Sequence, residues 1–217
     1  MPMPAPNQPI RNNTPTISER VPEIFPAIPI FWTRLPCFFN ARNTSIHHPR
    51  LSAEIMSDEL VNFEVGESAP DFEAELTDGT TIRLSEILHG GEKVILYFYP
   101  KDSTPGCTKQ ACDFRDNFER LKAVGYRVIG VSKDSAKSHS NFIQKHDLNF
   151  ELIVDQDIEL HKKYGVWREK MNYGKTYLGV SRSTFVIDLD GNFEFVGYNV
   201  RATGHVDRLM NELGVEG

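Results

Sequence analysis

The chain has 217 residues, 25% charged and 40% hydrophobic, an ordinary balance for one well-buried soluble domain with an appendage. Its 24 basic and 30 acidic side chains leave −6, a charge that phosphate backbones repel, so general nucleic-acid binding is disfavoured. No uninterrupted apolar run of about 18 residues marks a transmembrane helix, and three cysteines are too few for a disulfide framework, which fits a reducing, cytoplasmic setting.

Ten of the 13 prolines lie before position 50, and residues 1–55 hold five arginines, three glutamates and neither lysine nor aspartate. That segment carries +2 and the remainder −8. Nothing in it is periodic, and prolines at 22, 26, 29 and 36 break any helix. Its apolar patch from Phe25 to Trp32 contains two prolines and no small-residue cleavage site follows, so a secretory signal fits poorly. Arginine without lysine suits an organelle transit peptide, but serine is sparse and the segment has no amphipathic helix. Composition favours a disordered extension, or a start placed too early with Met56 opening the working protein. The expected organisation is an extension over 1–55 and one α/β domain over 56–217.

From Val61 onward strands and helices alternate. Thr81–Leu84 reads as a short strand and Ser85–Leu88 as a helical turn. Lys93–Tyr99 (KVILYFY), bounded by Gly-Gly and Pro, has the signature of a central strand. Thr108–Val124 is the next helix: Cys107, Ala111, Phe114, Phe118 and Leu121 fall at offsets 0, 4, 7, 11 and 14, one helix face. Tyr126–Ser132 is a strand, Ser138–His146 a helix, Glu151–Val154 a strand and Ile158–Tyr164 a helical segment. Thr184–Asp188 and Phe193–Tyr198 flank Asp190-Gly191, a hairpin turn signal. Gly204–Leu213 closes the chain as an amphipathic helix. The alternation predicts a mixed sheet with helices on both faces.

The chemistry is expected where the strand ending at Tyr99 hands over to the following helix. In open α/β sheets, sites form beyond the carboxyl ends of strands, and a helix N-terminus offers free N–H groups and partial positive charge. A cysteine in that first turn, Cys107, is stabilised as the thiolate, the nucleophilic form. Thr104 can aim its hydroxyl at the sulfur or at a bound oxygen. Against this stands the reading of Cys107 as a packing residue, which its apolar neighbours support; the Pro- and Gly-bracketed turn supports reactivity. Cys112 follows in C-x4-C spacing, which weakens both a thioredoxin-type dithiol and a zinc knuckle. Five residues along a helix advance about 7.5 Å and leave side chains about 140° apart. A bond between the two sulfurs therefore requires the first turns to unwind.

The stretch YFYPKDSTPGCTKQACDFRD resembles the active site of peroxiredoxins, through P-x3-T-x2-C at Pro100, Thr104 and Cys107. The second cysteine narrows the resemblance to the bacterioferritin comigratory protein, or peroxiredoxin Q, subfamily. Further matches are YGVWREK around Trp167, RSTFVID at Arg182–Asp188 and a closing GHVDRL helix. The resemblance runs from about Asn62 to the end and leaves residues 1–55 and Cys37 uncovered. It implies a thioredoxin-like fold that reduces hydrogen peroxide and organic hydroperoxides with cysteine alone, without metal or flavin. Cys107 would be the peroxidatic residue and Cys112 the resolving one, closing an intramolecular disulfide that thioredoxin reopens. Arg182 would favour the thiolate and hold the leaving oxygen, while Pro100 would shield the sulfur. The resemblance suggests a monomer. Gln110 departs from relatives, which often carry glutamate there.

The weaker signals read as bland. None of the seven histidines pairs in zinc-protease fashion; His47-His48 read as solvated tail residues, and His139 and His146 as surface. Lys101 and Asp102 read as a solvated loop, Trp167 as core cover, and Tyr173 as pocket rim or core cover. Cys37 is assigned no role. Two rival functions remain, a protein disulfide oxidoreductase and a non-enzymatic redox sensor on the same scaffold.

Overall fold

The computed structural model of the chain describes residues 61–172 and 174–215. The expected extension over 1–55, with Cys37, His47 and His48, lies outside the described residues, as does Tyr173.

The run KVILYF forms strand β3 (Lys93–Phe98), buried from Val94 onward on both faces. Alternation along a strand sends successive side chains to opposite sides. Ile95, Tyr97 and the following Tyr99 enter one core; Val94, Leu96 and Phe98 enter the other. The first core is closed by helix α2 (Pro105–Ala123) through Cys107, Ala111, Phe114 and Leu121, by α3 (Ala136–His146) through Phe142, and by α5 (His205–Glu212) through Val206, Leu209 and Met210. The second is closed by α1 (Leu84–His89) through Leu84 and Ile87, and by Leu160 of α4 (Glu159–Lys163) with Tyr164.

The strands β4 (Tyr126–Ser132) and β5 (Glu151–Val154) continue the sheet parallel to β3 on one side. On the other side β8 (Ser183–Ile187) pairs antiparallel with β3 and β9 (Phe193–Gly197) pairs antiparallel with β8, giving the order β5-β4-β3-β8-β9. This is the expected mixed sheet with helices on both faces. The register Phe98↔Ser183 sets Arg182, just before β8, beside the carboxyl end of β3. The turn into β9 passes through Gly191 at φ 81°, a left-handed conformation that glycine adopts without steric cost.

Most expected elements are present, with shifted ends. Helix α2 begins at Pro105 rather than Thr108, because proline at the first helical position has its φ already set and misses no hydrogen bond there. Three strands had no expectation. The pair β1 (Glu73–Glu75) and β2 (Thr81–Arg83) is an antiparallel ribbon of three-residue strands, of which only β2 was foreseen. The hairpin β6 (Trp167–Asn172) and β7 (Lys175–Val180) pairs antiparallel from Trp167↔Val180 to Asn172↔Lys175. Its first strand, WREKMN, carries three adjacent charged residues, a composition that hides a strand.

Candidate active site

The connection from β3 to α2 runs Tyr99-Pro100-Lys101-Asp102-Ser103-Thr104. Thr104 is the N-cap of α2 with an extended backbone, φ −83° and ψ 148°. Its carbonyl accepts the first helical bond, from Thr108 N at 2.8 Å. Its hydroxyl donates to the Lys101 carbonyl at 3.1 Å and closes the turn. Its hydrogen is thus committed to Lys101, and its oxygen keeps the capacity to accept from a bound group. Pro100, half-buried, ends the strand after Tyr99 N has donated to the Val131 carbonyl at 3.1 Å.

Cys107 stands in the first turn of α2, 2% exposed and free. Arg182 Nη2 donates to its Sγ at 3.1 Å, while Nη1 donates to Oε1 of Gln110 at 2.6 Å. One guanidinium thus spans two residues one helical turn apart, the forked geometry that lysine cannot supply. Gln110 is fully buried and its Nε2 has no hydrogen-bond partner. Gly106 abuts this arrangement: a Cβ there would stand in ordinary contact, 3.5 Å from Arg182 Nη2 and 3.6 Å from the Ala202 Cβ. Cys112, half-buried and free, lies further along the same unbroken helix. The structure brings Cys107 and Arg182 together and leaves Cys112 unbonded.

Around this turn lies a buried polar group whose extent the sequence did not reveal. Asp102 is 6% exposed, not a solvated loop residue. Its carboxylate accepts from Tyr99 Oη at 2.8 Å, from Ser138 Oγ at 2.7 Å and from His139 Nδ1 at 2.9 Å. Burial pushes the Asp102 carboxyl up, but the bonds from His139 and Ser138, the His139 charge and the Tyr99 hydroxyl outweigh it and hold it below the usual range. His139 is fully buried rather than on the surface, with Nε2 facing the Ile153 carbonyl at 3.2 Å. In the same core cluster as Cys107, Tyr97 stacks on Phe114 with ring centroids 4.7 Å apart, and its hydroxyl has no partner. Burial first, then Cys107 and Asp102 nearby, push the Tyr97 phenol well above its ordinary value.

A family model described as AhpC/TSA matches residues 65–196, most of the described chain. The chain belongs to this family, the AhpC/TSA peroxiredoxins. Peroxiredoxin Bcp of Bacillus subtilis is 42% identical over 153 residues, 70% of this chain and 96% of the relative. Peroxiredoxin Bcp of Escherichia coli is 42% identical over 150 residues, 69% of this chain and 95% of the relative. Among solved structures, a cysteine-to-serine variant of Xanthomonas campestris peroxiredoxin Q superposes with a TM-score of 0.62 at 38% identity, covering 66% of this chain and 90% of that one. The resemblance read from the PKDSTPGCT stretch is thus that of the whole domain, which has the thioredoxin-like fold of those relatives. As a peroxiredoxin, the chain is a peroxidase, an antioxidant oxidoreductase.

The remaining residues singled out in the sequence fall outside the peroxiredoxin turn. Trp167 starts β6 and packs, partly buried, on the second core, as expected. His161 is fully buried on Asp155, with Nδ1 at 2.5 Å from Oδ2, and acts as a core residue. His205 is 3% exposed, with Nε2 at 2.8 Å from Thr184 Oγ1. Sequence reading used Gly106 only as a bracket of the turn, and missed Tyr97 and the Asp102–His139 pair. A glycine before the cysteine and an aromatic next to the strand's last residue were visible signals, but their roles depend on what packs against them.

Proposed function

We propose that Cys107 is the peroxidatic residue of a two-cysteine cycle and Cys112 its resolving partner. The sulfur of Cys107 attacks the terminal oxygen of a hydroperoxide and the O–O bond breaks. The electron pair leaves on the departing oxygen, which takes a proton to become water or an alcohol, and Cys107 is left as a sulfenic acid. The Cys112 thiol then attacks that sulfur, water is expelled and an intramolecular disulfide forms. A reduced dithiol protein such as thioredoxin reopens it by two thiol exchanges.

The observation that carries this reading is the Arg182 guanidinium donating to Cys107 Sγ at 3.1 Å in the first turn of α2. Cation and helix terminus both favour anionic sulfur, and the same donors suit the negative charge that develops on the leaving oxygen. Pro100 limits water access to the turn, and Thr104, whose hydroxyl still has an oxygen free to accept, lines the approach. A solved relative supports extending the substrates to organic hydroperoxides: the structural study of Xanthomonas campestris bacterioferritin comigratory protein, 37% identical over 66% of this chain, concerns its alkyl peroxide reduction activity. Because both sulfurs stand on one helix, the site needs no second subunit, which supports a working monomer. A donor kept reduced fits a cytoplasmic setting.

NADPH consumption coupled through thioredoxin and its reductase tests the cycle. Turnover with hydrogen peroxide should vanish in Cys107→Ser. Cys112→Ser should consume one equivalent of peroxide and then stall; steady turnover at the full rate in that variant would remove Cys112 from the cycle. Analytical ultracentrifugation at working concentration tests the monomer.

A further inference from the structure

If Cys112 is to reach Cys107, the first turns of α2 must open and close again in every cycle, because two sulfurs five residues apart on a helix are beyond disulfide range. The residues just before that turn are fixed at several points. The Thr104 hydroxyl holds the Lys101 carbonyl, and Asp102 N donates to Asp134 Oδ2 at 2.9 Å. The Asp102 carboxylate takes three side-chain donors from β3's extension and from α3, and its chief partner His139 is itself held at its other ring nitrogen by the Ile153 carbonyl of β5. Ser103, next in sequence, has φ 57°, a left-handed conformation that a non-glycine residue keeps only where its surroundings impose it. Among the described residues, none of the Asp102 partners is hydrogen-bonded to Cys107, Cys112 or Arg182, so the reacting groups do not account for this buried network.

A carboxylate removed from water and given this many donors is an expensive feature for a loop. Two residues further on stands Thr104, whose hydroxyl holds the Lys101 carbonyl beside Asp102 and whose carbonyl accepts the first bond of α2. We propose that Asp102, clamped by His139, Ser138 and Tyr99, is a positioning residue for the peroxidase reaction. It anchors the turn before α2 to α3 and β5, so that the first turn opens to bring the sulfurs together and recloses on a fixed base with Cys107 under Arg182. The inference rests on Cys107 as the peroxidatic residue; failure of that reading would show as peroxide consumption that survives Cys107→Ser, whatever Asp102 does.

The test is the second-order rate of Cys107 oxidation by hydrogen peroxide, followed by competition with a haem peroxidase well below the unfolding temperature of each variant. Asp102→Ala and His139→Ala should each slow oxidation about tenfold or more, the scale expected when a reacting group is displaced by a fraction of an ångström to an ångström. The double variant should be no slower than the slower single one, because the pair acts as one clamp. A merely structural role would lower the unfolding temperature and leave the rate at the wild-type value, and that outcome overturns the proposal. So does slowing in Asp102→Ala with a wild-type rate in His139→Ala. Should the alanine variants fail to fold, Ser138→Ala, which deletes one hydroxyl at a half-buried position, decides: a two- to threefold slowing supports the clamp, and an unchanged rate overturns it.

Discussion

Gly106 and Arg182 are placed so that a methyl on one would just touch the other and a larger side chain would collide with it. A Cβ on Gly106 would sit 3.5 Å from Arg182 Nη2, the nitrogen that donates to Cys107. That is ordinary contact distance, so Gly106→Ala should fold and retain most of its peroxidase rate, with some gain in helix propensity. Gly106→Val adds two methyl groups in the same space, against both Nη2 and the Ala202 Cβ. It should displace the guanidinium and cut the oxidation rate of Cys107 about tenfold or more. Equal rates for the two variants would show that the space over Gly106 does not govern Arg182.

The forked contact of Arg182 with Cys107 and Gln110 predicts that charge alone is insufficient. Arg182→Lys should reproduce most of the loss seen in Arg182→Ala, on the order of 10²-fold in the rate of peroxide attack, because an ammonium cannot serve the sulfur and the Gln110 side-chain oxygen at once. Stopped-flow rates with hydrogen peroxide for the two variants check this. A lysine variant within twofold of the wild type would mean that positive charge, not the fork, matters.

Tyr97 bears a buried hydroxyl without a partner, and Gly130 on the next strand gives that ring its space: a Cβ at Gly130 would stand 2.6 Å from Leu152 Cδ2 and 2.9 Å from the Tyr97 hydroxyl. Tyr97→Phe removes an unsatisfied group and should be neutral or stabilising by up to about 1 kcal/mol in urea unfolding. Gly130→Ala forces the buried Tyr97 ring and Leu152 to shift and should cost about 1–3 kcal/mol. Combining the two changes should recover part of that cost. A Tyr97→Phe variant destabilised by more than about 1 kcal/mol would point to a partner for the hydroxyl.

Burial, then the charges of Arg208 and Arg182, push His205 from 6.5 down to about 4. A folded-state value below the unfolded one means the unfolded chain binds the extra proton first. The contribution of His205 is therefore complete above about pH 6.5 and is lost as pH falls toward 4, to a total of roughly 3 kcal/mol. The carboxyls of Asp71, Asp102 and Asp155 are all held below 3.8, so their contributions are lost only in stronger acid and the two windows separate. Urea unfolding at pH 7, 5.5 and 4.5 should show the decline in the wild type and a flatter profile in His205→Gln. A wild-type profile flat across this range would mean that His205 is not held neutral.

The fold and the reactive turn were legible in the sequence wherever a local pattern carried them. The β-rich run at Lys93–Phe98, the Tyr126–Ser132 strand and the Asp190-Gly191 turn are read from neighbours in the chain. So is Cys107: a strand end, a proline-led helix start and a cysteine in its first turn are all consecutive. The hairpin β6–β7 was not, because charged residues in WREKMN suppress the strand signal and only pairing with β7 supplies it. Arg182 was reachable only through resemblance, since what places it is the register Phe98↔Ser183 between strands far apart in sequence.

Lys101-Asp102-Ser103 shows the limit most clearly. Three polar residues in a row describe a solvated loop, and nothing within the segment contradicts that. Asp102 is buried because Ser138 and His139, on a helix that begins after a whole further strand, bring donors to it. A chain's own pattern specifies where it turns and which face of each element is apolar, since those depend on adjacent residues. Whether a charge is left in water or removed from it depends on groups that folding alone brings within hydrogen-bond reach, and that was decided by the tertiary structure.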